Sequence, residues 1–287
     1  MFANTVAALA RRAAIRTLAP SATLATGAPI VFDRNAKKLQ RDRAAKHPNA
    51  RQTDYLKDEV AHRIVERILD VKDRYPTIVD IGAGAVHLAK HLDQDITNKV
   101  IMCDVSRDLL YRDADFDGER GVEIERRVLD EETELLASFS ENSVDMIISN
   151  MSMHWVNDLP GVLIQARKCL KPDHVFIGAM IGGESLFELR TVDVDEIVVD
   201  YPSMFKLIDD LHAMGESNVV LQRRSFLHRD TLLAASSIYQ QLHGNPDGTV
   251  PATFQIIYLI GWKPSPTQPA PLERGSAKIS LKKMLEE

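Results

Sequence analysis

The spacing of hydrophobic and polar positions changes along the chain. Over residues 55–70, Leu56, Val60, Ile64 and Ile68 recur every four residues, with Ala61, Val65 and Leu69 widening the stripe. That period predicts an amphipathic helix, with Thr53 or Asp54 as its cap. From residue 77 onward the pattern becomes short apolar runs separated by helical stretches. Residues 77–81, 99–103, 123–129, 144–149 and 175–181 read as five strands. Glycines follow the first, then a helical pattern through His91. Asn157 or Asp158 caps a helix that carries Val162, Leu163, Ala166 and Leu170 on one face and stops at Lys171-Pro172. Alternation of this kind implies a mostly parallel sheet with helices on both faces. The last third is less regular. It offers a strand over 192–199, a helix over 203–213, a helix capped by Asp230 and stopped at Gly244, and a long apolar strand over 254–262.

Composition bounds the picture without deciding it. The 287 residues are 45% hydrophobic and 26% charged, an ordinary globular balance. A net charge of −6 is not that of a nucleic-acid-binding face, so no nucleic-acid partner is expected. Two cysteines, Cys103 and Cys169, give neither a disulfide framework nor a metal spacing, which fits a reducing compartment. The longest apolar run, 175–181, is strand-sized rather than membrane-sized. Residues 1–27 differ from the rest: they carry Arg11, Arg12 and Arg16, many alanines and no acid. That composition predicts a mitochondrial transit peptide, the alternatives being an unstructured tail or an interfacial helix. Residues 28–75 then form an N-terminal helical segment, 76–262 the main domain, and 263–287 a flexible tail. The basic stretch 34–46 reads as a solvated face or as a dock for an acidic partner.

The chemistry concentrates at the strand ends. Ile78-Val79-Asp80-Ile81-Gly82-Ala83-Gly84 lies where a strand feeds a helix, so glycine lets backbone N–H groups approach a ligand. The acid precedes the first glycine by two, unlike the dinucleotide fingerprint, where glycines open the motif. Acid-x-Gly-x-Gly is the S-adenosylmethionine order, and it predicts a Rossmann-like S-adenosylmethionine-dependent methyltransferase fold. Asp104 ends the next strand, where a carboxylate can take both ribose hydroxyls or cap the following helix, a role open to Ser106 too. Asp130, with Glu131 and Glu132, either holds an adenine amino group or forms a solvated acidic loop. The fourth strand ends in Ser149 and Asn150, beside the reacting centre, with His154 and Trp155 on the substrate side. Asp80, Gly82, Ala83, Gly84, Asp104, Asp130 and Asn150 are thus the cofactor candidates; no catalytic residue is assigned. His228, Asp230 and His243 mimic an iron triad, but the two histidines stand about 20 Å apart along one helix, so no metal is expected.

Longer strings carry a family resemblance over about residues 30–275. They include Val31-Phe32-Asp33-Arg34-Asn35, Asp54-Tyr55-Leu56-Lys57, His154-Trp155-Val156-Asn157-Asp158-Leu159-Pro160 and Pro251-Ala252-Thr253-Phe254-Gln255. With the Asp80 motif they resemble the mitochondrial NADH dehydrogenase (complex I) assembly factor 5 family, relatives of the malonyl-carrier-protein methyltransferases. The resemblance implies hydroxylation, or else methylation, of an arginine on a complex I matrix-arm subunit or assembly intermediate. It also implies the mitochondrial matrix or the matrix face of the inner membrane, with peripheral association there. A non-enzymatic assembly chaperone that keeps the fold is the alternative. Two departures bear on this. Val86 replaces the third glycine, where a β-branched side chain is expected to crowd the ligand. The family's segment of some tens of residues before Val192 is missing, which suggests a deletion after strand five. The ten residues 182–191 are too few for a crossover helix and return, so strand five is expected to lose its cover.

Overall fold

The computed structural model describes residues 29–71, 74–182, 193–224 and 226–268. The predicted transit peptide and most of the predicted tail lie outside them. Seven strands, β1 (Thr77–Ile81), β2 (Lys99–Asp104), β3 (Glu123–Val128), β4 (Val144–Asn150), β5 (Leu170–Ile181), β6 (Asp193–Tyr201) and β7 (Val250–Trp262), form one sheet in the order β3-β2-β1-β4-β5-β7-β6. The first five are parallel, and β7 runs antiparallel between β5 and β6. The order reverses between β1 and β4, so the loops after β1, β2 and β4 open onto one crevice at their carboxyl ends.

Among the described residues two helices precede the sheet, α1 (Arg34–Ala45) and α2 (Tyr55–Val71). Leu56, Val60, Ile64 and Ile68 of α2 are each at most 1% exposed and share a cluster with Ile78, Met146, Val175 and Ile177 on one face of the sheet. Each such side chain contributes about 1.5–3 kcal/mol by leaving water. The other face is covered through Val162 and Ala166 of α5 (Leu159–Cys169), which cluster with Val79, Ile147 and Phe176. Asp158 caps α5 by accepting from Gly161 N–H. The shorter α3 (Arg107–Leu110) and α4 (Leu135–Ser138) follow β2 and β3; α6 (Met204–Ala213) and α7 (Arg229–His243) lie between β6 and β7.

Several expectations need correction. The helix expected through His91 is only a 3-10 turn at Ala89–His91. Ala85, Leu88, Ala89 and Leu92 are all buried, and His87 and Lys90 are drawn to Asp58 of α2. A segment buried nearly all round does not present the one-sided stripe of a surface helix. The glycine turn consequently has no helix dipole behind it. Asp230 is not a cap: it sits in the first turn of α7, and His228 precedes the helix without a side-chain bond. β7 starts four residues earlier than expected, across Pro251. Pro251 lies beyond the stretch of β7 paired with β5 and has Asp200 of β6 as its strand neighbour, so an imide without N–H is tolerated there.

The link expected to be too short after β5 lies outside the described residues, but the strands on either side of it are described. β5 pairs with β7 from Trp262 down to Ile256, whereas β6 pairs with it from Tyr258 down to Val250. β6 therefore begins level with Ala179, near the carboxyl end of β5, and runs on past that end. Phe176 and Met180 of β5 stay buried in the cluster with Met153 and Val156, so this face of the strand keeps its cover.

Candidate functional site

The crevice is built from the ends of β1, β2 and β4. Gly82 and Gly84 both adopt left-handed φ, +65° and +63°, turning the chain sharply after β1. A Cβ on Gly82 would lie 2.1 Å from Ser152 Oγ, so only glycine lets the loop after β4 close over this turn. Asp104 is fully buried; its Oδ1 accepts from Ser106 N–H and its Oδ2 from Gly84 N–H, tying the β2 end to the glycine turn. Ser106, not Asp104, caps α3, through Leu109 N–H.

Several buried acceptors here have no partner among the described residues. Both Asp80 carboxylate oxygens, Ser149 Oγ, Asn150 Oδ1 and Glu131 Oε2 are among them. Unpaired buried acceptors are costly unless something else supplies donors. Burial, with Asp104 nearby, pushes the Asp80 carboxyl well above the usual carboxylate range. Ala83 is buried, its N–H bonded to Cys103 O across the β2 end.

Sequence reasoning missed what closes the crevice. Arg34, Lys37 and Arg41 of α1 stand at i, i+3 and i+7 and enter it from one helix face. Arg34 Nη2 lies 2.7 Å from Asp130 Oδ1 and 3.0 Å from Glu131 Oε1, and its Nε lies 3.5 Å from Glu132 Oε2. Arg41 donates to Asp104 Oδ2 and to Ser152 Oγ, both at 2.9 Å. Burial works against the Arg41 charge, but Asp104, Glu131 and Glu216 outweigh it and raise its pKa. Lys37 is 1% exposed and donates to the carbonyls of Gly215 and Ser217. Within the basic stretch Arg34, Lys37 and Arg41 thus turn inward, while Lys38, Arg43 and Lys46 stay on the solvated side, and the acids 130–132 are not a solvated loop because Arg34 covers them. The spacing 34, 37, 41 was the available signal.

The substrate-side candidates gather around Glu216, which the sequence did not single out. Trp155 Nε1 donates to Glu216 Oε2 at 2.6 Å, His154 Nε2 lies 3.5 Å from the same oxygen, and Lys57 Nζ lies 3.0 Å from Oε1. Burial raises the Glu216 pKa, but Lys57, His154 and Lys37 more than offset this and hold it well below the usual value. Burial lowers the His154 pKa despite Glu216, favouring a neutral ring. Asn150 Nδ2 donates to Lys57 O, joining this cluster to the end of β4. Val86, expected to crowd a ligand, is buried in the core and lines a small cavity with Phe116, Val122 and Ile124. His228, Asp230 and His243 lie on α7 and its lead-in, outside the crevice.

Comparison with known proteins places these features. Residues 79–178 match the model of a methyltransferase domain. The arginine-hydroxylase NDUFAF5, mitochondrial, of Danio rerio is 40% identical over 290 positions, covering 88% of this chain and 88% of the relative. The chain belongs to the NDUFAF5 family. The Homo sapiens protein of the same name is 38% identical over 312 positions, covering 95% of this chain and 88% of its own length. That alignment is longer than this 287-residue chain, so the relative holds internal positions that this chain lacks, as the deletion expected after β5 requires. Bacterial malonyl-[acyl-carrier protein] O-methyltransferases match more distantly. A crystal structure of a methyltransferase-type protein from Bacillus halodurans shares the fold, with a TM-score of 0.51 at 12% identity over 70% of this chain and 98% of that one.

Proposed function

We propose that this chain binds S-adenosylmethionine in the crevice and modifies an arginine side chain of a protein partner in mitochondria, as a step in assembling respiratory complex I. The observation that carries the cofactor assignment is the set of unpaired buried acceptors, Asp80, Ser149 and Asn150, beside the left-handed Gly82–Gly84 turn and Asp104. These residues fit the group. Asp104 would take the ribose hydroxyls once Arg41 withdraws, Asp130 with Glu131 and Glu132 would hold the base, and Asp80 and Asn150 would hold the cationic end. When bound, the cofactor supplies a methyl group to a nucleophile held in line with its sulfonium. The chain's own part is to place the two reactants and exclude water, to which the loop after β4, packed over the glycine turn, contributes.

The arginine assignment and the mitochondrial location rest on the relatives' names. Oxygen insertion into an arginine C–H bond needs dioxygen and a two-electron reductant besides the protein, whereas methylation needs only the cofactor. The experiment is mass spectrometry of complex I matrix-arm subunits from cells with and without this protein. Hydroxylation adds about 16 Da and methylation about 14 Da to an arginine peptide. Neither mass appearing, while assembly still depends on the chain, returns the non-enzymatic chaperone reading, which the closure of Asp104 by Arg41 favours.

A further inference from the structure

Lys37 occupies an unusual place for a lysine. Its Nζ sits 3.4 Å from the centroid of the Trp155 ring. The same ammonium donates to Gly215 O at 2.9 Å and Ser217 O at 3.3 Å, and lies 3.9 Å from Glu216 Oε2. A π face, two carbonyl oxygens and a carboxylate thus converge on one cation. Glu216 itself is anchored independently of Lys37, by Trp155 Nε1 and by Lys57. The cage would therefore persist if Lys37 left.

We propose that Trp155, Glu216 and the carbonyls of Gly215 and Ser217 form the recognition site for a substrate guanidinium, held in the closed structure by the chain's own Lys37. A guanidinium suits this cage better than an ammonium does. It is planar, stacks on an indole, and offers five N–H donors in a fork that matches a carboxylate and adjacent carbonyls. Lys37 is a poorly settled tenant: burial pulls its pKa down to about 7, against the pull of Glu216. Two buried atoms joined to the cluster, His154 Nδ1 and Asn150 Oδ1, have no partner among the described residues and are available to a larger ligand. Trp155 also packs edge-on against Phe32, just before α1, so lifting α1 uncovers the ring from the Lys37 side.

This inference rests on the arginine-modifying reading and names the residues that select its substrate. The test is calorimetric titration of the full chain with a blocked Gly-Arg-Gly peptide and its citrulline counterpart, which is nearly isosteric but uncharged. Each titration is run with and without saturating S-adenosylmethionine. Lys37→Met should bind the arginine peptide at least tenfold more tightly than the wild type and discriminate against citrulline by tenfold or more. Glu216→Gln should lose that discrimination. A folded Lys37→Met protein that binds no more tightly, or binds both peptides alike, overturns the proposal. If Glu216→Gln does not fold, Lys37→Met decides; if that too fails, wild-type preference for arginine over citrulline decides, and its absence overturns the site. Cofactor titration on the same samples separates the two readings. S-adenosylmethionine binding without arginine preference rejects only the guanidinium site. Arginine preference without S-adenosylmethionine binding rejects only the cofactor assignment.

Discussion

Arg41 and Asp104 form a buried ion pair across the crevice, Nη1 to Oδ2 at 2.9 Å, joining α1 to the end of β2. The arginine side chain is 6% exposed and the aspartate 0%, so solvent screens the pair little. Each partner also has a second tie, Arg41 to Ser152 and Asp104 to Gly84. Asp104 is the carboxylate assigned to the ribose, so the closed chain holds its own cation on a ligand-binding group. Closure by α1 and cofactor binding therefore compete for one oxygen.

Breaking that pair from either side strands a buried charge, at about 3–5 kcal/mol. Arg41→Met and Asp104→Asn should each lower the urea-unfolding free energy by about that amount. The double variant should lose clearly less than the sum, because neither charge is left behind. Additive losses in this cycle would mean that the pair is not formed in solution.

Gly82 and Gly84 differ in what surrounds them although their φ values match. Alanine at either position carries left-handed strain of about 1–2 kcal/mol. At Gly84 the added methyl meets nothing nearer than 3.5 Å, so strain is the whole effect. At Gly82 it would overlap Ser152 Oγ at 2.1 Å and push the loop after β4 off the turn. Thermal melts should show Gly82→Ala losing well over twice what Gly84→Ala loses. Ser152→Gly should restore part of the Gly82→Ala loss; equal losses at the two glycines would reject the close approach.

The parallel sheet and its strand ends were legible because buried strands leave short apolar runs whose carboxyl ends carry the polar residues. The stripe on α2 was equally plain, since Leu56, Val60, Ile64 and Ile68 all face one core. The segment after Gly84 misled because its apolar residues read as helical while all of them are in fact buried. Pro251 hid the start of β7, since a proline breaks a strand only where both edges are paired. The largest omission was α1. A basic run looks solvated until its 34, 37, 41 spacing is matched to acids that only the fold brings together, at Asp104, at 130–132 and at Glu216.

Asp80 makes the stability of the chain depend on pH with a definite sign. Its carboxyl is 0% exposed, both oxygens lack partners among the described residues, and burial with nearby Asp104 raises its pKa well above 3.8. The folded chain therefore keeps this proton at pH values where the unfolded chain has lost it. More protons bound when folded means that stability falls as pH rises above 3.8, until the folded group itself ionises. Asp80→Asn has nearly the same shape and no proton to lose. Its urea midpoint should match the wild type near pH 4 and exceed it at about pH 7, the gap widening between. A cationic ligand reverses the balance by favouring the ionised carboxylate. S-adenosylmethionine binding to the wild type should then release a proton, seen as a heat that varies with buffer ionisation enthalpy, and Asp80→Asn should bind more weakly without that release. Equal pH slopes for the two proteins would show that Asp80 ionises in the folded chain as it does in the unfolded one.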